Sequence, residues 1–394
     1  MSALLPLEEA QQRLVSLATR LPIETVPIAQ ALGRYLAADI AAHRNQPAAD
    51  MSAMDGYAIR FEDRAGPWTC VGECKAGSEP CPPLKSGQTA RIFTGALLPG
   101  GADTVVMQEN VETDGNVISL IAEPSPEQGR HVRRIGSDFC RGDIALSKGT
   151  WLSPAALGHA VIAGYGELPA HQKPNVAVVS TGDELVEPGA RARSHQIPAS
   201  NDVMVSAMLA GLTGETRALS RIADNMDALC AALDSARDCD IIVTIGGASV
   251  GDHDLVAPAF ERLGGTIDFH KIAMKPGKPV MSGKLGNSVV LALPGNPGSA
   301  FVSATLLLLP LVRYMAGAAE YLPKYRSAQT TTTLPPTQNR AQFLRAQVDS
   351  VGITAFDSQD SAKLSVLAAA NALLYRPANS DEELAGGTVH YISI

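Results

Sequence analysis

The spacing of apolar and polar positions divides the chain into three textures. Residues 5–20 (LPLEEAQQRLVSLATR) predict a helix with Pro6 and two glutamates in its first turn. A short strand over 24–28, a short helix over 31–38 and an extended stretch over 39–44 follow. Residues 61–142 show no helical period. Short alternating runs separated by Gly/Pro clusters such as AGSEPCPPLKSGQ predict a small β domain there. At its entrance Asp55-Gly56 reads as a tight-turn dipeptide, with a strand resuming at Tyr57. Thr94-Gly95 ends another strand, and Thr104–Met107 is a third. Residues 130–151 alternate strand and turn, and a proline-led helix is predicted over 154–163.

From residue 175 the period changes to strand–helix alternation. NVAVVSTGDEL is a buried strand ending in a Gly/acid turn, and Met204, Val205, Met208, Leu209 and Leu212 share a helix face. A strand over 214–222 and a helix opening at Asn225 come next. Residues 241–245 are apolar or β-branched, as in a strand buried on both faces, and run into GGASVGDHD. Val256, Phe260 and Leu263 then mark a helix. TIDFHKIA, the loop MKPGKP, a hairpin around Gly286-Asn287, the strand SVVLAL and the turn PGNPG complete the stretch. Asn296 and Pro297 mark a helix start, as N-cap and first residue, and the helix is expected to reach about Leu309. Four strand–helix repeats predict a mostly parallel sheet covered on both faces. After about residue 320 the pattern is β again. The fold class is therefore α/β plus β: a central doubly wound α/β domain, an inserted small β domain and a C-terminal β domain.

Composition narrows the function classes. With 394 residues, 45% apolar and 18% charged, the chain suits several folded domains. A net charge of −8 argues against nucleic acid or anionic membrane as the main partner. The six cysteines show no CxxC pattern. Cys70 and Cys74 share a strand face but stand roughly 13 Å apart, so they cannot share a metal there; reduced thiols are expected. No basic region precedes an apolar core at the N-terminus, and the apolar run over 301–312 is short and contains Pro310. A cytoplasmic protein is the expectation.

Three strand-end turns carry unusual chemistry. One holds Ser180, Thr181, Gly182, Asp183 and Glu184; one holds Gly246, Gly247, Ser249, Asp252 and Asp254; one holds Pro294, Gly295, Asn296 and Pro297. Parallel strands bring such turns to one sheet edge. Lys275 and Lys278 in KPGKP add two cations. Helix N-termini and lysines suit oxyanions, whereas carboxylates beside an anion imply a cation, so the set predicts a polyanion plus a divalent metal. The alternative is that one aspartate caps the helix and the other is solvated. Neither GxxxxGK[ST] nor a strand-linked GxGxxG is present, which argues against a P-loop ATPase or NAD enzyme. The residues alone thus predict an α/β enzyme acting on a phosphorylated or nucleotide-bearing substrate with Mg²⁺.

Seven stretches, in order and across nearly the whole chain, resemble the molybdopterin molybdenumtransferase family, the bacterial MoeA proteins and the E domain of gephyrin. They are SAMDGYA (52–58), FTGALLPGGADTVVMQE (93–109), RxxGxD (133–138), STGDEL (180–185), GGASVGDHD (246–254), KPGKP (275–279) and LPGNP (293–297). The resemblance implies four domains: 1–46 with 143–170, a discontinuous dimerisation domain; 47–142, the inserted β domain; 171–318, the α/β domain; and 319–394, the C-terminal β domain. It implies that molybdate is inserted into adenylylated molybdopterin with Mg²⁺-dependent release of AMP. Asp252, Asp254 and Glu184 are the implied metal ligands, and Asp254, Asp55, Glu184, Lys275 and Lys278 the implied catalytic set. Thr94, Arg133, Thr181, Asp183, Gly246, Gly247, Ser249, Arg345, Ser361 and the turn Pro294–Pro297 are the implied substrate contacts. A homodimer is implied in which Asp55, Thr94 and Arg133 close the partner's cleft, with transient contacts to a molybdopterin adenylyltransferase and to apo-molybdoenzymes. The sequence departs from the family pattern at PAADMSAMDG, which lacks the usual preceding aromatic, and at Gln359-Asp360-Ser361-Ala362, where Gln-Gly-Ser-His is common. The alternatives are a molybdopterin adenylyltransferase, from the α/β domain alone, and a non-enzymatic dimeric scaffold.

Overall fold

The computed structural model describes residues 4–79, 81–121, 127–247 and 255–394. Its centre is a six-stranded sheet ordered Thr216–Ile222, Val176–Thr181, Ile241–Ile245, Ser288–Leu293, Met281–Leu285, Thr266–His270. The first four strands run parallel and the last two add on antiparallel, through the hairpin at Gly286-Asn287. Val176–Thr181, Ile241–Ile245 and Ser288–Leu293 are buried at every position, because helices cover both faces.

One cover is the helical run Pro297–Met315, which extends past the expected end near Leu309. Pro310 cannot donate to the Leu306 carbonyl four residues back. The run adopts a π turn over Ala304–Leu308, and the buried Gln11 side chain donates to Leu306 O at 2.8 Å instead. The run has the length and apolarity of a membrane span, yet 78% of its most apolar window is buried inside the protein, which makes it a core helix. The donor Gln11 belongs to the first helix, Leu7–Ser16, which buries Leu7, Ala10 and Leu14 in this same core and pairs Arg13 with Asp268.

The strand Ile23–Pro27 pairs with Glu167–His171, and Ile40–Ala41 with Ile144–Leu146. Residues on either side of the insertion therefore share one small core. The expected helix over 31–38 does not form. Ile28–Gln30 makes a single 3₁₀ turn, Gly33 takes φ +71°, and Tyr35 and Leu36 bridge to Trp151 and Ala170. Pairing across the layer outweighs a local helical preference.

The insertion holds a six-stranded sheet, Thr104–Met107, Gly56–Ile59, Gln88–Ile92, Trp68–Cys74, Val117–Leu120, Val111–Asp114, together with the short pair Met51–Ser52 and Val132–Arg133, and among its described residues the helical turns are all 3₁₀. Gly56 is a strand residue here. A Cβ on it would lie 2.0 Å from Val106 O, so the neighbouring backbone occupies the side-chain space. Cys74 and Cys81 are joined in a disulfide, a departure from the expected reduced set, because the loop between them returns Cys81 to within 5.7 Å Cα–Cα of Cys74.

The C-terminal sheet runs Met274–Lys275, Ala341–Val348, Ala372–Arg376, Thr388–Ser393, Arg326–Gln329, with Ile353–Ala355 on the second strand and one helix, Leu364–Ala369. Its first strand is lent by the α/β segment, which ties the two sheets together.

Candidate active site

The chain leaves Val176–Thr181 toward one neighbour, Thr216–Ile222, and later returns on the other side as Ile241–Ile245. That reversal leaves a crevice at the carboxyl ends of the strands. A cleft of about 980 Å³ opens there. Thr181, Gly246, Gly247, Pro294, Gly295, Asn296 and Pro297 line it, so all three predicted turns meet in one place. Gly246 sits at φ +93°, and a Cβ would come within 2.9 Å of Thr181 O. Glycine is thus required where the two central strands end. Ser249, Asp252 and Asp254 lie outside the described residues.

Glu184 lines the cleft and folds its carboxylate back over Gly182, where a Cβ would stand 2.6 Å from Oε2. Asp183 points to the loop after Thr216–Ile222. Its Oδ1 accepts from Asp224 N at 3.1 Å, and its own N–H donates to Asp224 Oδ2 at 3.4 Å. Asp224 itself lines the cleft and is absent from the sequence-derived set. Its signal was available: it follows a strand that ends on the same edge. Asn201, in the segment PASND where the family pattern has an Asp/Ser-Asn pair and outside the expected site set, lines the cleft and donates from Nδ2 to Gly295 O at 2.5 Å, while its buried Oδ1 has no partner.

Asn296 occupies the N-cap position, with its backbone carbonyl accepting from Ala300 N at 2.9 Å, but its side chain makes no capping bond. The second helical residue, Gly298, donates its N–H to Ser361 O at 2.8 Å. That bond seats the C-terminal loop on the helix start, and Ala362 and Leu364 complete the cleft wall. Behind the loop lies Arg345. Gln359 clamps its backbone on both sides, accepting from Arg345 N at 2.9 Å and donating to Arg345 O at 3.0 Å. The Arg345 side chain is 1% exposed, and Nη2 has no hydrogen-bond partner. Burial pushes this guanidinium below its usual value, and the negative charge of Asp360 opposes that shift.

Lys275 and Lys278 are exposed and do not line the cleft, whereas Pro279 of the same loop does. Lys275 pairs in parallel with Gln342 on the strand that also carries Arg345.

Asp55, Thr94 and Arg133 do not line this cleft. Asp55 and Thr94 meet on the inserted domain, where Asp55 Oδ1 accepts from both Thr94 N and Thr94 Oγ1 at 2.8 Å. The Thr94 N–H and then its hydroxyl hold the Asp55 carboxyl below the usual aspartate range. Beside them Arg91 lies over the rings of Tyr57 and Phe93, 5.1 and 4.9 Å from their centroids. Arg133 is exposed, on the short strand Val132–Arg133 that pairs with Met51–Ser52.

Among the described residues no three His, Cys, Asp or Glu side chains cluster as a ready metal cage. The donor set nonetheless fits Mg²⁺. The carboxylates of Glu184 and Asp224 face one cleft, and Mg²⁺ is commonly held by one or two carboxylates plus substrate phosphates, keeping several waters.

Three family models cover the chain: MoeA N-terminal region (domain I and II) at 5–164, a probable molybdopterin binding domain at 177–314, and MoeA C-terminal region (domain IV) at 327–394. The chain is 36% identical over 377 residues to molybdopterin molybdenumtransferase 2 of Mycobacterium tuberculosis H37Rv, covering 92% of this chain and 93% of that one. It is 36% identical over 351 residues to the molybdopterin molybdenumtransferase of Haemophilus influenzae, covering 87% and 85%. The crystal structure of the molybdopterin biosynthesis MoeA protein from Pyrococcus horikoshii OT3 matches over 100% of both chains, at 27% identity and a TM-score of 0.83. The chain belongs to the MoeA family of molybdopterin molybdenumtransferases.

Proposed function

We propose that this chain inserts molybdate into adenylylated molybdopterin, releasing AMP and yielding molybdenum cofactor. Family membership makes it a transferase of molybdenum cofactor biosynthesis; the substrate form, the released nucleotide and the metal are the reading advanced here. One observation carries it. Three strand-end turns, the acids Glu184 and Asp224, and the C-terminal loop over Arg345 converge on one cleft at the sheet's reversal point.

In this reading the helix start at Asn296–Pro297 and the N–H groups of the Gly246-Gly247 turn hold the substrate's phosphates. Lys275 and Lys278 hold oxyanion charge, and Arg345 with Ser361 holds molybdate. Glu184, Asp252 and Asp254 hold Mg²⁺, and Asp224 lines the cleft with Glu184; the ion would supply neutralisation of charge at the phosphoanhydride. Thr181 and Asp183 fix the turn that presents Glu184. Asp55, Thr94 and Arg133 sit on the inserted domain away from this cleft, and a homodimer in which the partner's inserted domain covers it brings them to the substrate. The four-domain division (1–46 with 143–170, 47–142, 171–318, 319–394), a cytoplasmic location and transient contacts with an adenylyltransferase and apo-molybdoenzymes belong to the same proposal.

The test supplies purified protein with adenylylated molybdopterin, Mg²⁺ and molybdate, and follows AMP and active cofactor. Molybdate-dependent AMP release, lost in Asp254→Asn and Lys275→Ala, is the expected result. Turnover only from free molybdopterin and ATP would replace the reading with an adenylyltransferase. No turnover from a folded dimer would favour a scaffold.

A further inference from the structure

A second cavity, of about 920 Å³, opens where the layer flanking the insertion, the α/β domain and the C-terminal sheet meet, and it shares no lining residue with the cleft. That volume lies within the roughly 300–1,000 Å³ usual for a small-molecule site. The helical run Pro297–Met315 supplies one wall: Phe301, Thr305, Leu309 and Arg313 fall at four-residue intervals and all line the cavity. The loop over 147–151 supplies another and is seated directly on the segment after the helix, since a Cβ on Gly149 would stand 2.6 Å from Ala319 N. Trp151 and Tyr35 pair in that wall with ring centroids 4.9 Å apart. Three cations reach the cavity from three segments: Lys148 from the loop, Arg313 from the helical run and Arg326 from the strand Arg326–Gln329. None of the three makes a side-chain hydrogen bond or an ion pair among the described residues. The single acidic side chain in the lining, Glu320, is paired with Lys324. On a chain of net charge −8, three uncompensated cations around an apolar, aromatic lining make a local field that attracts anions.

We propose that this cavity is a second ligand site, separate from the substrate cleft, for a small aromatic anion. The ring seats against Trp151, Phe301 and Leu309, and a phosphate, sulfonate or carboxylate group is held by Lys148, Arg313 and Arg326. Neither half of such a ligand suffices alone. A bare oxyanion leaves the apolar lining uncovered, and a neutral ring leaves three cations unpaired. Because those groups come from three segments, an occupant joins the modules and raises the melting temperature by mass action. The inference does not depend on the reading of the cleft.

The probes are anilinonaphthalene sulfonate and its uncharged counterpart, phenylnaphthylamine, added to the whole chain. Trp151 is the reporter, since the other tryptophan, Trp68, is buried in the inserted domain and the cleft is lined by neither. Excited Trp151 is expected to transfer energy to the bound sulfonate, and Trp151→Phe to lose most of that transfer while the probe still binds. The sulfonate is expected to bind roughly tenfold more tightly than the neutral probe, and to lose about that factor in the double variant Lys148→Gln/Arg313→Gln. The melting temperature without probe stays the same in that variant, and the rise on adding the sulfonate is lost. Equal binding of the two probes overturns the inference, as does an undiminished sulfonate affinity in the double variant. Full energy transfer in Trp151→Phe places the probe elsewhere and overturns it too. Sulfonate affinity that falls as the protein is concentrated into a dimer, followed by sedimentation, gives the cavity to the contact between subunits and also overturns it.

Discussion

The cleft of the α/β domain and the Asp55–Thr94 corner of the inserted domain carry the two halves of the proposed site, and they are built in opposite ways. The cleft gathers groups from turns far apart in the chain, from Thr181 to Leu364, and leaves polar capacity unspent: Asn201 Oδ1 is buried without a partner in its wall, as is Arg345 Nη2 behind the C-terminal loop. The corner is closed on itself. Both hydrogen bonds to Asp55 Oδ1 come from Thr94, and Arg91 beside it is held by two rings and by Gly56 O. A surface with buried polar atoms left without partners is made to receive a ligand. A carboxylate locked by its own neighbours is made to present one fixed charge. In the proposed dimer this difference would let the two halves lie on separate modules and act together, because only the receiving half has to be assembled around the substrate.

The strongest way to break this comparison is to separate the halves genetically. Asp55→Ala and Glu184→Ala should each be inactive alone. Mixed after denaturation and refolding, they should recover roughly a quarter of wild-type turnover, because half the dimers are mixed and each mixed dimer holds one intact site. If the halves of one chain serve each other, the mixture stays inactive.

A second test probes how each half is held. Gly56→Ala places a Cβ against Val106 O and should cost about 2–3 kcal/mol of stability, read by denaturant unfolding. Gly246→Ala should cost about 1–2 kcal/mol for its left-handed backbone. It should also reduce turnover more than its stability loss explains, since the turn it distorts lines the cleft.

The smallest effect sharpens the corner alone. Thr94→Val removes the hydroxyl and keeps the N–H, so the Asp55 carboxyl should titrate higher than in the wild type yet remain below an ordinary aspartate, as followed by carboxyl NMR. The folded-state value is depressed. Its contribution to stability is therefore present above the unfolded aspartate value of about 3.9 and lost as pH falls through the folded value. Thr94→Val narrows that acid window.

Much of the α/β domain was legible because its signals are local. Val176–Thr181, Ile241–Ile245 and Ser288–Leu293 are uninterrupted apolar runs, and Gly/acid or Gly/Pro turns end each of them. Asp224 went unread because it follows a half-buried strand whose turn, Ala-Asp-Asn, carries no glycine to mark it. The helix expected over 31–38 was misread because its apolar spacing serves cross-layer bridges instead. Asp55-Gly56 looked like a turn, because nothing local reveals that Val106 O fills the space beside Gly56.

The sequence by itself determined where the central α/β strands end and which of their turns carry glycine, acids and lysines, because backbone geometry and hydrophobic period act over a few residues. Only the tertiary structure decided that Gln11 repairs the helix at Pro310, that Ser361 seats on Gly298, and that Arg345 Nη2 is buried without a partner. Those outcomes depend on contacts between segments tens to hundreds of residues apart, where the satisfaction of a donor or a charge is settled by packing and by no local pattern.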